Sequence, residues 1–387
     1  MMVFGLFWLL SGGFQNKLDH LSKNLTAGLF FLYYLWVVIG AFYTTLPAEA
    51  EKDVVLKLPF VVWPLALGSL FLFSSKNLQY LLRWFILASA ISILFCFTMA
   101  LGDFLNNGDV REFFFTRLVN YKVLPPHYLG MYLSFSYGCL LYQGLRKKYF
   151  FSRSTDVLLM IIMAVGILFI SVRMQYIVFL LINGWIFFSF LYQKSGFLKA
   201  SLSLLVLILI FGSLAWVFPG SKRRIKDTYN EIVSFEREVN QKQTNHRKFL
   251  WLHGWEVVRE HLWIGTGTGA SDQALQLKLQ NNDHKFWDGQ DVYYLRDRNY
   301  NFHNTYLQQW ATHGIVGLLI LLLAMLVPFW RTHDFKGRLF IVICGLSFLT
   351  ESMLERQAGV LFFSFFYCLL FVVKTIDENQ KSQQAIE

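Results

Sequence analysis

His303, Arg173 and Arg247 are the side chains whose type and placement best suit group transfer. His303 stands in Asn301-Phe302-His303-Asn304-Thr305-Tyr306-Leu307, where the one long polar stretch (219–302) ends and an apolar run begins. Imidazole titrates near neutrality, so a histidine there suits taking a proton from a hydroxyl. The plainer reading is an interfacial histidine bonded to a helix end, and position alone favours it. Arg173 interrupts an apolar run, 156–192, that is too long for one crossing. An arginine at mid-bilayer is costly, so the chain is expected to turn there between two helices; a single tilted helix with a buried arginine is the alternative. Its planar fork suits a pair of phosphate oxygens, while snorkelling or a distant carboxylate would account for it equally. Arg247 opens an amphipathic segment, 246–263, where a helix N-terminus would add to its pull on an anion. Taken alone, Arg247 reads as a solvated cation.

Further polar groups lie close in sequence to these three. His127 follows Pro125-Pro126 at the mouth of an apolar run. Glu256, Asn304, Tyr306 and Arg356 are candidates for the same cleft. Glu351 and Glu355, four apart, would share one helix face and pair with Arg356 or another of the arginines. Gly265-Thr266-Gly267-Thr268-Gly269 lacks the lysine and hydroxyl residue of a phosphate loop, so it reads as a turn that closes the preceding helix. His246, His253, His261 and His284 show no zinc-type spacing with a third ligand, and no metal is expected.

The elements that must carry these residues are membrane helices. Of 387 residues, 55% are hydrophobic and only 16% charged, against roughly 25% charged in soluble domains. Mean hydropathy is +0.42. Apolar spans fall at 1–14 (partial), 25–46, 58–73, 82–101, 127–145, 156–172, 174–192, 201–218, 306–330, 338–350 and 358–374. The fold class is therefore an all-α polytopic membrane protein of about 11–12 transmembrane helices with one large loop containing short helices. Three regions result: helices in 1–218, the loop 219–302, and helices with a short tail in 303–387. Residues 1–14 lack the basic start of a cleavable signal. Cys96, Cys139, Cys344 and Cys368 sit inside apolar runs and are expected as buried thiols. The net charge of +10 is read as cytoplasmic loop lysines and arginines rather than a nucleic-acid surface. The alternation of Lys and Arg among short loops places the long loop, Arg173 and the 102–126 segment on the outer side, the periplasm of a Gram-negative cell.

Three blocks in this order resemble the O-antigen ligase family, the superfamily that includes Wzy-type polymerases. They are Ser171-Val172-Arg173; Arg247-Lys248-Phe249-Leu250-Trp251 through Trp255 and Glu256 to Ile264-Gly265-Thr266-Gly267; and His303-Asn304-Thr305-Tyr306-Leu307 leading to His313-Gly314-Ile315-Val316-Gly317-Leu318. The likeness is good over roughly 120–330. It implies a GT-C-like glycosyltransferase of the bacterial inner membrane with a periplasmic site and no cofactor. The donor would be glycan on undecaprenyl pyrophosphate and the acceptor a hydroxyl of lipid A–core or another glycan. By the same resemblance Arg173 and Arg247 would hold the pyrophosphate and His303 would act at the acceptor, with inversion at C1. A polymerase extending lipid-linked repeats shares donor and site. A flippase for lipid-linked oligosaccharide is the non-catalytic alternative, and it would place its charges near mid-membrane.

Overall fold

A computed structural model describes residues 12–68, 74–119, 124–217, 247–281, 285–287 and 292–373, with single positions at Lys222, Lys226 and Tyr229. Most of the expected partial helix 1–14, together with His246, His284 and most of 218–246, lies outside the described residues. The helices are α1 (Phe14–Ser22), α2 (Leu25–Phe42), α3 (Pro47–Lys57), α4 (Pro59–Gly68), α5 (Ser75–Asn107), α6 (Phe115–Val119), α7 (Pro126–Leu145), α8 (Arg153–Ile170) and α9 (Arg173–Val217). They continue with α10 (Arg247–Glu260), α11 (Ser271–Gln280), α12 (Thr305–Arg331), α13 (Phe335–Phe348) and α14 (Gln357–Tyr367). Strands among the described residues are limited to β1 (Lys285–Trp287) and β2 (Val292–Tyr294), paired antiparallel.

The expected all-α polytopic membrane protein is what the structure shows. Five helices are long and apolar enough to cross a bilayer: Leu25–Phe42, Ser75–Asn107, Arg153–Ile170, Arg173–Ile210 and Thr305–Arg331. Gln357–Val372 is a shorter apolar helix. At 33 residues α5 is about 50 Å long, well beyond a hydrocarbon core of about 30 Å, so it absorbs sequence read as loop on either side of 82–101. All four cysteines are free and buried.

The chain divides into two compact units. One holds residues 79–235 and 342–347. Here α8 stops at Ile170, Ser171 takes a left-handed φ of 55°, and α9 begins at Arg173. The helix break at Arg173 is thus real, and it leaves the half-buried arginine in the first turn of α9. Buried polar side chains pin these helices: Ser134 Oγ donates to Gln175 Oε1 (2.9 Å), Gln175 Nε2 to Ser347 Oγ (3.0 Å), and Tyr137 Oη to Asn183 Oδ1 (2.8 Å). Such pairs hold helices in lipid, where apolar burial alone discriminates poorly. The ring of His127, in the first turn of α7, stands edge-on to Phe115 with centroids 6.2 Å apart.

The other unit holds residues 1–78, 236–341 and 348–387. Its apolar centre stacks Phe30 on Tyr367 at 3.8 Å, flanked by Phe60 and Phe363. A second core joins the loop elements to α12: Leu250, Val257 and Val258 of α10, Leu275 and Leu279 of α11, Phe302 and Ala311. The amphipathic helix read at 246–263 is therefore α10. Its buried stripe packs on other helices, while Trp251, Leu252 and Trp255 remain exposed.

Candidate functional site

The site grows from the turn before α12. Trp251 Nε1 donates to Phe302 O (3.0 Å), and a side chain at Gly254 would run into the Phe302 ring. These contacts fix the chain one residue before His303. His303 itself has φ 45°, a left-handed conformation rare outside glycine, and its N–H donates to Asn301 Oδ1 (3.0 Å). Asn304 then caps α12, its Oδ1 accepting from Leu307 N (3.0 Å). Thr305 Oγ1 donates to Glu351 O (2.8 Å) and accepts from Met353 N (2.9 Å). Asn304 N donates to Ser352 Oγ (3.3 Å). Residues 301–305 are thus tied by hydrogen bonds to residues 351–353.

That clamp sets Glu351 against His303. Nδ1 of His303 lies 3.1 and 3.0 Å from the two carboxylate oxygens, and Arg247 Nη2 lies 3.9 Å from Glu351 Oε2. A carboxylate only accepts, so Nδ1 carries the ring proton and Nε2 is the basic nitrogen. Side-chain exposure is 23% for His303, 27% for Arg247 and 9% for Glu351. The carboxylate is the buried member, and the two groups suited to meet a ligand are the open ones.

The sequence-chosen residues divide in two. His303 and Arg247 meet on one carboxylate. Arg173 and His127 belong to the other unit and are described there. Among the remainder, Asn304 is engaged in capping. The Tyr306 ring stands edge-on to Phe348 at 6.1 Å, with its hydroxyl 4.0 Å from Met325 Sδ. Glu256 lies 3.1 Å from His253 Nδ1, and Arg356 is exposed ahead of α14. Glu351 and Glu355 do not share a helix face as expected. Only a short 3-10 turn, Met353–Glu355, lies there, so the two carboxylates diverge. Glu355 pairs with Lys57 Nζ (3.2 Å), which also reaches Asp53 (3.4 Å), and accepts from Gln309 Nε2 (3.3 Å). Burial pushes Glu355 up to about 7 against the opposing pull of Lys57. Burial acts downward on Lys57, but Glu355 and Asp53 outweigh it and hold the ammonium charged.

α12 is broken ten residues into its length. Gly314 has φ 65° and ψ −172°, and a Cβ there would collide with the backbone carbonyl of Trp263. The interruption exposes carbonyls that the glycine-rich turn collects: Thr266 N donates to Ala311 O (2.9 Å) and Gly267 N to Thr312 O (3.0 Å). Ile315 N donates to Leu262 O (2.9 Å), and Trp36 Nε1 to His313 O (3.0 Å). Gly265-Thr266-Gly267-Thr268-Gly269 is thus a brace for a broken membrane helix, in keeping with the demand that each backbone group at that depth find a partner. Gly265, Gly267 and Gly269 all have positive φ, as this path requires.

Residues 158–322 match the family described as O-Antigen ligase. The match covers less than half of the chain. It takes in Arg173, Arg247, the glycine-rich brace, His303 and the break at Gly314, while Glu351 and Lys57 lie outside it. An uncharacterized protein of Haemophilus influenzae (strain ATCC 51907 / DSM 11121 / KW20 / Rd) is 24% identical over 205 residues. That alignment spans 48% of this chain and 48% of the relative, about half of each.

Glu351, Lys57 and Asp272 were not singled out as site residues by sequence reasoning. For Asp272 a signal existed in its partner: Gln308, near the start of an apolar helix, must find polar company.

Proposed function

We propose that this protein transfers a glycan from undecaprenyl pyrophosphate to a hydroxyl of lipid A–core at the periplasmic face of the inner membrane. The observation that carries the reading is the His303–Glu351–Arg247 constellation, of which His303 and Arg247 lie within the segment that matches the O-antigen ligase family. In this reading the acceptor hydroxyl oxygen forms a bond to C1 of the donor sugar as the C1–O bond to the diphosphate breaks. Nε2 of His303 takes the hydroxyl proton, and Glu351 steadies the imidazolium that results. Negative charge grows on the leaving undecaprenyl pyrophosphate, and Arg247 offsets it. Arg173 is kept as a second diphosphate ligand on the resemblance alone. Attack opposite the leaving group inverts the anomeric centre. The positive charge comes from arginines, so the step calls for no metal.

The test incubates purified protein with undecaprenyl-pyrophosphate-linked glycan and lipid A–core, with chelator present. Glycan on the core that disappears in His303→Ala supports the reading. Longer chains on the lipid carrier would instead make the protein a polymerase. Neither product from folded protein would overturn transfer and favour a transporter.

A further inference from the structure

Asp272 lies at the start of α11, three residues after the brace ends. Its side chain is exposed, and the protein around it raises the cost of its charge. That surrounding protein pushes its carboxyl up to about 6, against the hydrogen bond from Gln308. Gln308 Nε2 donates to Asp272 Oδ1 (2.8 Å) and to Ser271 Oγ (3.0 Å), while its Oε1 accepts from Phe302 N (3.2 Å) and Ser352 Oγ (3.1 Å). One buried amide therefore fixes Asp272 relative to both chain segments that hold the His303–Glu351 pair. His303 is within electrostatic reach of the Asp272 carboxylate, as are Asp53 and Lys57.

A second observation concerns the group around Lys57. The Tyr33 hydroxyl is buried and, among the described residues, has no hydrogen-bond partner. Lys57, Glu355 and Asp53 lie within electrostatic reach of it. A buried hydroxyl left without a protein partner signals a polar occupant, water or a ligand hydroxyl. A metal cation is disfavoured here because the Lys57 ammonium already fills the place between Asp53 and Glu355. A diphosphate is disfavoured by three carboxylates set against one ammonium. The chemistry that fits is a sugar face: hydroxyls donate to carboxylate oxygens, and an amino group would be welcome.

We propose that Asp272, fixed by Gln308 and backed by Asp53, Lys57, Glu355 and Tyr33, is a subsite for a neutral or amino sugar of the acceptor, and that it rejects acidic sugars. The word acceptor rests on the transfer reading above; sugar binding does not.

The experiment is saturation-transfer NMR on the full chain in detergent with methyl glycosides of a hexose, a hexosamine and a hexuronate. The hexose and hexosamine should receive saturation and the hexuronate should not. Asp272→Asn should weaken the hexose signal about tenfold, the scale of one hydrogen bond to a charged group. Asp272→Ser should let the hexuronate in, a gain that misfolding cannot mimic. In the transfer assay, Asp272→Asn should raise the acceptor KM far more than it lowers kcat. Equal signals for hexose and hexuronate, no sugar signal on folded wild type, or a hexose signal indifferent to Asp272→Asn would each overturn the subsite. Asp272-dependent sugar binding without any transfer would leave the subsite standing and sink the transfer reading instead.

Discussion

His303 and His313 stand ten residues apart on one segment, and the structure uses them in opposite ways. His303 precedes α12 with a left-handed backbone, 23% exposure and Nδ1 on a carboxylate. His313 lies at the helix break with no exposure. Its Nδ1 is 2.9 Å from Gln309 Oε1, its Nε2 3.1 Å from Thr268 Oγ1, and its carbonyl accepts from Trp36. Gly40 and Gly317 crowd it so closely that a Cβ on either would strike the ring or its neighbours. The difference teaches that one motif can hold one histidine open and oriented by a charge and another buried and bonded at both ring nitrogens. Exposure and a charged orienting partner mark the first; saturation of both ring nitrogens marks the second.

The sharpest way to break this comparison is to remove each histidine in turn. His303→Ala should lower kcat for transfer by about 10²–10⁴, the usual range for a positioned base, with an unchanged thermal midpoint. If transfer survives, the assignment of the base is wrong. Glu351→Gln should cost on the order of 10² in kcat, at the low end of that range, because it loses the charge that steadies the imidazolium. In the double variant with His303→Ala no further loss should follow, since the two act as a unit.

His313→Ala should show its effect in stability. Loss of two buried hydrogen bonds is expected to cost about 2 kcal/mol, read as a lower thermal midpoint, while kcat of the remaining folded protein stays close to wild type. Gly314→Ala should be at least as damaging, by more than about 1 kcal/mol, because the left-handed φ and the Trp263 carbonyl both exclude a Cβ. A catalytic defect in fully stable His313→Ala protein would erase the contrast.

The smallest effect is one of pH. Glu355 and Asp272 have carboxyls raised to about 7 and about 6, so the folded chain binds protons that the unfolded chain has released. Stability should therefore be highest below the unfolded carboxyl range and decline as pH rises from about 4 to about 7. Glu355→Gln should flatten that slope in thermal unfolding followed across pH.

Much of this was readable from the chain. Hydropathy marked the membrane helices, because spanning a bilayer forces long apolar runs whatever the packing. The cost of a charge in lipid placed the helix break at Arg173. Glycines at 265, 267 and 269 announced a turn, though not what it braces. An arginine partner for Glu351 was expected, but its pairing with His303 escaped sequence reading for a definite reason. Its i, i+4 spacing from Glu355 means one face only if the segment is helical, and the chain there makes a short 3-10 turn instead.

The sequence by itself determined that this protein lives in a membrane and carries His303 where its long polar stretch meets an apolar helix, with Arg247 inside that stretch. Those follow from local quantities, the solvation of side chains and the length of a bilayer. Only the tertiary structure decided that Glu351, 48 residues on, stands beside His303, and that Lys57 meets Glu355 across 298 residues. Such pairings depend on how helices pack and where hydrogen bonds tie distant turns together, and no local spacing encodes them.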